Sequence, residues 1–246
     1  MFTSTFRKPL VRNNMTADEI IAELRELADP SRVAMYDRFA IKTNQILGIS
    51  TPDVKAFAKE VKKLVADRHA VAAELWQSGI YEARAIAFLI DDPKLVTPEQ
   101  MDSWCADFDN WATVDGACGY LFCRTKYAYE KAVEWTTREP EFEKRAGFSM
   151  MAYLAVHDKK APDDKLAGFF PLLELHSDDE RNFVKKAVNW ALRQIGKRSL
   201  ALNELAIESA ERIKATGTKA GRWIAADALR ELRSEAVRER LSRKNV

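Results

Sequence analysis

Glycine and proline are scarce in this sequence, at 9 and 8 of 246 residues. Together with a hydrophobic content of 47%, this scarcity favours helices joined by short connections. No segment alternates apolar and polar residues over the length of a strand between turn residues. The sequence therefore predicts an all-α fold.

Motifs of several enzyme classes are also absent. The chain has no P-loop, no GxGxxG and no HExxH motif, and its three histidines and three cysteines form no metal-ligand pattern. An odd number of cysteines without framework spacing is typical of a reducing cytoplasm. No apolar run approaches the ~18 residues that a membrane span requires. We therefore expect a cytoplasmic protein with no metal, no other cofactor and no membrane contact.

Both chain ends are basic. Residues 1–14, MFTSTFRKPLVRNN, lack the apolar stretch of a signal peptide, so we expect a disordered basic extension, with Met15 as an alternative start. A single helical-repeat domain is expected over residues 15–233, followed by a basic C-terminal tail at 234–246.

Cap residues mark several helix starts. Thr16 is followed three residues later by Glu19, as in a capping box. Thr51 and Thr97 each precede a proline, which is favoured at the first helical position. Apolar residues at helical spacing predict further helices at 70–78, 81–91, 111–136, 141–157, 163–176, 180–197, 199–215 and 218–232.

Positive charge is concentrated in the second half of the chain. Residues 1–120 have a net charge of −4, so residues 121–246 have a net charge of +6 within the total of +2. Between Arg181 and Asn203 there are six basic residues and no acidic one. This asymmetry favours an anionic partner for the C-terminal half.

A tryptophan lies inside this basic segment, FVKKAVNWALRQIGKRSL (183–200). If this segment is a helix, its apolar residues line one side. The opposite side carries Lys186, Trp190, Arg193 and Lys197. One interpretation is a tryptophan that covers the aliphatic stems of its neighbours or packs on the next helix. The other is an aromatic contact inside a phosphate-binding surface.

Four predicted helices resemble one another. Each has a basic residue near its start, followed by apolar residues at helical spacing, and these basic residues are Arg84, Arg145, Lys186 and Arg222. Their separations of 61, 41 and 36 leave room for one more unit near Asp115. Such degenerate repeats indicate an α-solenoid, in which the same helix of every repeat lines a concave groove. The alternative is a chance likeness among amphipathic helices.

A second unusual stretch is NWATVDGACG (110–119), in which Trp111 and Asp115 share one helix face. An aspartate near a helix start offsets the macrodipole, and tryptophan is usually a core residue. Taken alone, this pair is typical of structure rather than of a site.

Four stretches of the chain gain meaning in combination: LGISTPDVKAFAKE (47–60), WATVD (111–115), KRAGF (144–148) and KKAVNWALRQIGK (185–197). In order, they are similar to a Leu-Gly-[Ile/Val]-x-x-Pro helix entry and to the segments Trp-x-x-x-Asp, Arg-Ala and Lys-Ala-[Ile/Val]-x-Trp-x-Leu-Arg. Together these stretches resemble the DNA alkylation repair family, which comprises alkylpurine DNA glycosylases built from HEAT-like repeats. The resemblance extends over residues 16–232, and it departs from the frequent Trp-Asp-x-x-Asp pattern at Ala112.

The resemblance implies an α-solenoid of HEAT-like repeats and a monomeric protein that binds double-stranded DNA with alkylated bases, in association with a bacterial nucleoid. The implied catalytic residues are Trp111, Asp115, Arg145 and Trp190. Phosphate contacts near the lesion are expected from Arg145 and from the stripe on 183–200. The expected DNA-binding residues are Lys186, Arg193, Lys197, Arg84 and Phe39, with Tyr36 as the alternative to Phe39.

One carboxylate suits this chemistry. An N3- or N7-alkylated purine is already cationic, so its glycosidic bond breaks without protonation of the leaving group. Asp115 can stabilise the oxocarbenium character of the sugar and position the attacking water. Sugar hydrolases that act on uncharged leaving groups usually require two carboxylates. The sequence therefore predicts a DNA glycosylase that hydrolyses the N-glycosidic bond of cationic N3-/N7-alkylated purines.

The main alternative is a non-catalytic HEAT-like scaffold that binds nucleic acid or protein, in which a carboxylate at Asp115 has no purpose. A metal-dependent hydrolase is disfavoured because His and Asp residues do not cluster in the sequence.

Overall fold

The computed structural model describes residues 14–43 and 45–243. These residues form α-helices and short 3-10 helices with no β-strand among them, which confirms the predicted all-α class. The chain divides into two compact units, Met1–Leu95 and Val96–Val246. The predicted extension at 1–14 lies, apart from its last residue, outside the described residues, and the predicted domain bounds stay predictions.

The first unit has five α-helices in its described part, with a 3-10 helix at Pro30–Arg32 between the first two. They are α1 (Ala17–Glu26), α2 (Val33–Arg38), α3 (Thr51–Leu64), α4 (Arg68–Gln77) and α5 (Tyr81–Ile90). Helix α5 packs against both α3 and α4. The Thr16–Glu19 capping box at the start of α1 is present as predicted.

The Leu-Gly-Ile part of the first motif is a structural element of this unit. The buried carboxylate of Glu82 accepts hydrogen bonds from the N–H groups of Leu47, Gly48 and Ile49 at 3.0, 2.8 and 3.2 Å. Gly48 has a φ of +81°, and a Cβ there would lie 2.1 Å from the carbonyl oxygen of Asp29. Only glycine fits this position, so the motif serves the loop that enters α3.

The second unit has ten α-helices in its described part, with 3-10 helices at Phe122–Arg124 and Trp135–Thr137. They are α6 (Pro98–Ala106), α7 (Trp111–Tyr120), α8 (Ala128–Glu134), α9 (Glu141–His157), α10 (Asp163–Ala167), α11 (Phe170–Leu175), α12 (Asn182–Gly196), α13 (Leu200–Ala215), α14 (Lys219–Leu232) and α15 (Glu235–Ser242).

Helices α7, α9, α12 and α14 lie side by side, since each packs against the next. The contacts between neighbours join Asp115 with Arg145, Gly119 with Tyr153, Arg145 with Phe183, Tyr153 with Trp190, Asn189 with Asp227, and Arg193 with Glu231. Residue numbers rise in the same direction on both helices of every pair, so all four helices are parallel. Equivalent helices of successive repeats pack in this way.

Three details of the predicted helices are wrong. The predicted helix at 111–136 ends at Tyr120 and resumes in α8, because the chain leaves helical geometry at Leu121 (φ −121°, ψ −66°). The predicted helix at 163–176 is two short helices, and Pro171, which lacks an N–H, stands in the first turn of the second. The N-cap of α3 is Ser50 rather than Thr51, since the Ser50 side chain accepts from the N–H of Asp53.

The basic segment at 234–246 contains α15, whose Val237 and Leu241 are buried. Helix α15 therefore packs against α13 and α14 through one face. Within the described residues, no helix has the length and apolar character needed to cross a membrane.

Candidate active site

An ion pair between Asp115 of α7 and Arg145 of α9 forms the centre of the candidate site. Arg145 Nη2 donates to Asp115 Oδ2 at 2.7 Å and to Oδ1 at 3.0 Å, and Arg145 Nε donates to Oδ1 at 3.2 Å. Ser149 Oγ, one turn further along α9, donates to the same Oδ1 at 3.0 Å. The Asp115 side chain is 18% exposed and that of Arg145 is 7% exposed. The carboxylate is therefore rigidly held but still reachable from solvent, with most bonds on Oδ1.

The remaining nitrogen of the Arg145 guanidinium forms a hydrogen bond to a neighbouring helix. Arg145 Nη1 donates to the carbonyl oxygen of Phe183, at the start of α12, at 2.8 Å. This bond couples α9 to α12 and leaves little of the guanidinium for an external ligand. The geometry therefore favours Arg145 as the residue that positions Asp115. The role predicted for Arg145 from the sequence was a phosphate contact.

The start of α7 directs Trp111 and Asp115 away from the core. Asn110 is buried and caps the helix, with its Oδ1 accepting from the N–H of Thr113 at 2.9 Å. Thr113 and Val114 are buried, whereas Trp111 and Asp115 are both partly exposed. The two residues lie on one helix face at a spacing of four, as predicted, and Trp111 is not a core tryptophan.

Trp190 packs on the neighbouring helix and keeps part of its surface exposed. Its ring meets Tyr153 of α9 edge-on, with centroids 5.0 Å apart and an interplanar angle of 82°. Tyr153 in turn lies against Gly119 of α7, where an added Cβ would be 2.4 Å from the tyrosine ring. A continuous contact therefore runs from α7 through Tyr153 to Trp190.

Sequence reasoning missed Ser149 and Tyr153. A usable signal was present, because Arg145, Ser149 and Tyr153 follow one another at four-residue spacing and share a face of α9. Burial, and secondarily the negative charge of Asp115, raise the pKa of Tyr153 far above its ordinary value. The phenol therefore stays neutral at physiological pH.

The predicted basic stripe of α12 is partly neutralised within the protein. Lys197 Nζ donates to Glu231 of α14 at 2.6 Å, and Arg193 pairs with the other oxygen of Glu231. Burial opposes ionisation of Glu231, but the hydrogen bonds from Lys197 and Arg193 outweigh it and hold the pKa of Glu231 below its usual value. Lys186 is exposed, and within the described part of the chain no carboxylate lies within ion-pair distance of it.

The remaining predicted DNA-binding residues belong to the first unit. Phe39 is 61% exposed at the end of α2. The alternative, Tyr36, donates its hydroxyl to the carbonyl oxygen of Ile49 at 2.8 Å and packs edge-on against Tyr81, so it is part of the fold. Arg84 lies 4.9 Å from the centre of a tryptophan ring in the same unit and donates to a backbone carbonyl there.

Comparison with a solved structure identifies the fold. A solved structure is similar to 92% of this chain and 96% of its own, with a TM-score of 0.72 and 21% identity. It is described as one of a new family of proteins related to the HEAT-like repeat DNA glycosylases with affinity for branched DNA structures. This likeness confirms the predicted HEAT-like helical-repeat fold.

Two further comparisons concern the sequence. The uncharacterised protein Lin0241 of Listeria innocua is 22% identical over 204 residues, which cover 81% of this chain and 87% of that protein. The family model described as DNA alkylation repair enzyme matches residues 20–232. Since this match covers most of the chain, the protein belongs to the DNA alkylation repair enzyme family.

Proposed function

We propose that the protein is a DNA glycosylase that removes cationic N3- or N7-alkylated purines from double-stranded DNA. The observation that carries this proposal is the Asp115 carboxylate, which is partly exposed and held on two sides by Arg145 and Ser149. It shares a helix face with Trp111, one turn away. A fixed negative charge beside an aromatic surface suits a reaction that develops positive charge on a sugar.

The reaction requires few protein groups. The alkylated base leaves as a neutral purine, because it already carries the positive charge that an acid would otherwise supply. As the C1′–N bond lengthens, the sugar gains oxocarbenium character and a water molecule attacks C1′. Asp115 Oδ2 accepts fewer bonds than Oδ1 within the protein, so this oxygen is the one available to orient that water and to accept its proton.

Arg145 and Ser149 act through Asp115 rather than on the substrate. Three bonds from the guanidinium and one from the hydroxyl fix both the position and the rotamer of the carboxylate. Fixed groups stabilise a developing charge without reorganising during the reaction. The positive charge of the Arg145 guanidinium also offsets the negative charge of the Asp115 carboxylate. This offset limits how strongly Asp115 stabilises a cation.

A second candidate function is DNA binding without turnover. The close engagement of Asp115 by Arg145 favours it, because an ion pair of this kind also occurs as a purely structural element. The solved structure described above represents proteins with affinity for branched DNA structures, which also supports DNA as the ligand in this candidate function.

The decisive experiment measures release of 7-methylguanine from methylated duplex DNA. Asp115→Asn preserves the size of the side chain and removes its charge, so we expect excision to slow by a factor on the order of 10² or more. Binding to undamaged duplex should be kept or slightly strengthened, since a negative charge near the phosphates has been removed. Asp164→Asn, at an exposed position on α10, is the matched control and should excise at the wild-type rate.

Two results would contradict the proposal. If Asp115→Asn excises as fast as the wild type, Asp115 does not act in catalysis. If the wild-type protein binds duplex DNA but releases no alkylated base, the non-catalytic candidate is correct.

A further inference from the structure

Helix α14 of the second unit carries an exposed tryptophan, Trp223. Trp223 is 41% exposed, whereas Trp76 and Trp135 are 1% and 0% exposed. The ring lies beside α12, because Lys185 Nζ is 5.7 Å from the ring centroid. Trp223 is therefore an aromatic surface open to solvent and next to a cation.

Further cations lie along α14 on both sides of Trp223. Lys219 precedes Trp223 by one turn and Arg230 follows it by about two turns, so the three side chains form a stripe along α14. All three are exposed, and Arg222, the residue before the tryptophan, is exposed as well. We refer to Lys185, Lys219, Arg222, Trp223 and Arg230 as the α14 surface.

The α14 surface repeats the spacing of the predicted DNA-binding stripe on α12. In both helices a lysine, a tryptophan and a second cation stand at positions i, i+4 and i+11, and the residues are Lys186, Trp190 and Lys197 in one and Lys219, Trp223 and Arg230 in the other. Since α12 and α14 are parallel neighbours, the two stripes run in the same direction.

Nearby carboxylates do not cancel the charge of the α14 surface. Asp227 accepts from Asn189 at 2.7 Å and also pairs with Arg230, which is still 78% exposed. Glu180 accepts the N–H of Ala220 at 2.9 Å. For Lys219, no carboxylate within the described ranges is close enough for an ion pair. The surface therefore keeps an excess of positive charge, which complements a polyanion.

We propose that the α14 surface binds an unpaired segment of a DNA strand, with one base stacked on Trp223 and the adjacent phosphates on Lys219, Arg222 and Arg230. An exposed aromatic face among cations is the usual means of binding single strands. Bases within a duplex present their edges in the grooves, so their faces do not reach the indole. The inference rests on the proposed function only for its choice of DNA as the partner.

The test compares two undamaged DNA probes, a labelled oligo(dT) strand and a blunt duplex of equal length. Trp223→Ala should weaken binding of the single strand about tenfold, as expected for the loss of one base–aromatic stack, and should change duplex affinity less than about twofold. Trp223→Phe should retain most of the single-strand affinity. Leu175→Ala removes an exposed apolar side chain on α11, 67% exposed, and should bind both probes like the wild type.

A second measurement does not depend on the alanine variant. Oligo(dT) should quench part of the intrinsic tryptophan fluorescence of the wild type, and this part should be missing in Trp223→Phe. The inference is overturned if Trp223→Ala binds oligo(dT) like the wild type, or if it loses affinity equally for both probes. Excision of 7-methylguanine from blunt duplex is measured separately and should be unchanged in Trp223→Ala, so either proposal can fail without the other.

Discussion

At the scale of single residues, the candidate site depends on contacts between helices that are far apart in sequence. Asp115 and Arg145 were both predicted as site residues, and the structure joins them by a bidentate ion pair. Neither the pairing of Asp115 with Arg145 nor the contact of Tyr153 with Trp190 follows from composition or spacing. A helical wheel shows only which residues share a face of one helix. The register between α7 and α9 had to be known to see that Gly119 makes room for the Tyr153 ring.

We expect Gly119→Ala to disturb Trp190 without touching it. The added methyl group would lie 2.4 Å from the Tyr153 ring, which must then move, and Tyr153 contacts Trp190. Overpacking of this kind costs about 1–3 kcal/mol of folding free energy. Urea unfolding should show this loss, and the near-UV circular dichroism of the folded state should change.

The control is Gly217→Ala, which faces open space but has a φ of +70°. It should lose stability through backbone strain, of about 1 kcal/mol, while its near-UV spectrum stays like that of the wild type. An unchanged near-UV spectrum in Gly119→Ala would show that Tyr153 does not transmit the displacement to Trp190.

At the scale of helices, the sequence predicted most elements where caps and apolar periodicity agree. The helix predicted at 141–157 coincides with α9, and that at 81–91 with α5 to within one residue. The prediction of one helix over 111–136 was wrong because residues 121–127 contain no proline or glycine to mark the break. Burial of Phe122 and Cys123 at the turn accompanies the change of direction, and such tertiary contacts are invisible to local patterns.

Pairing between α12 and α14 predicts an acid-dependent loss of stability. The pKa of Glu231 is lowered in the folded state. Its ionised carboxylate therefore contributes fully to folding stability above the ordinary pKa of 4.5, and this contribution is lost as the pH falls through the lower folded-state pKa. Glu231→Gln cannot titrate and should be less stable than the wild type by about 1–2 kcal/mol at pH 7. This difference should shrink below pH 4.5 in urea unfolding measured from pH 7 to pH 3.

Glu208→Gln provides the comparison for this effect, since its side chain is 63% exposed on α13. Surface pairs of this kind contribute about 0–1 kcal/mol, so the variant should follow the wild type across the pH range. A Glu231→Gln variant whose deficit stayed constant from pH 7 to pH 3 would mean that the pairing with Arg193 and Lys197 does not stabilise the fold.

At the scale of the whole molecule, the predicted charge asymmetry is only partly available to a ligand. The segment between Arg181 and Asn203 has six basic residues and no acidic one, but acidic partners come from other helices. Glu231 and Asp227 of α14 lie against Arg193, and Glu231 also lies against Lys197. A count of charges along the chain could not reveal this, because the neutralising carboxylates are 34 to 38 residues away.

The salt dependence of DNA binding should therefore differ among residues of one helix stripe. Each true phosphate contact contributes ~0.9 to the slope of log affinity against log salt concentration. Lys186→Ala should reduce the slope by about this amount, whereas Arg193→Ala should reduce it less, because Arg193 is already paired with Glu231. Glu231→Gln removes the competing carboxylate and should raise duplex affinity.

Anisotropy titrations of a labelled duplex at several KCl concentrations measure all three variants, and Lys214→Ala on α13 serves as the control for loss of an exposed cation. Equal slope changes in Lys186→Ala and Arg193→Ala would show that the ion pairs of α14 open when DNA binds, and then the folded-state pairing would be no guide to which cations bind phosphate.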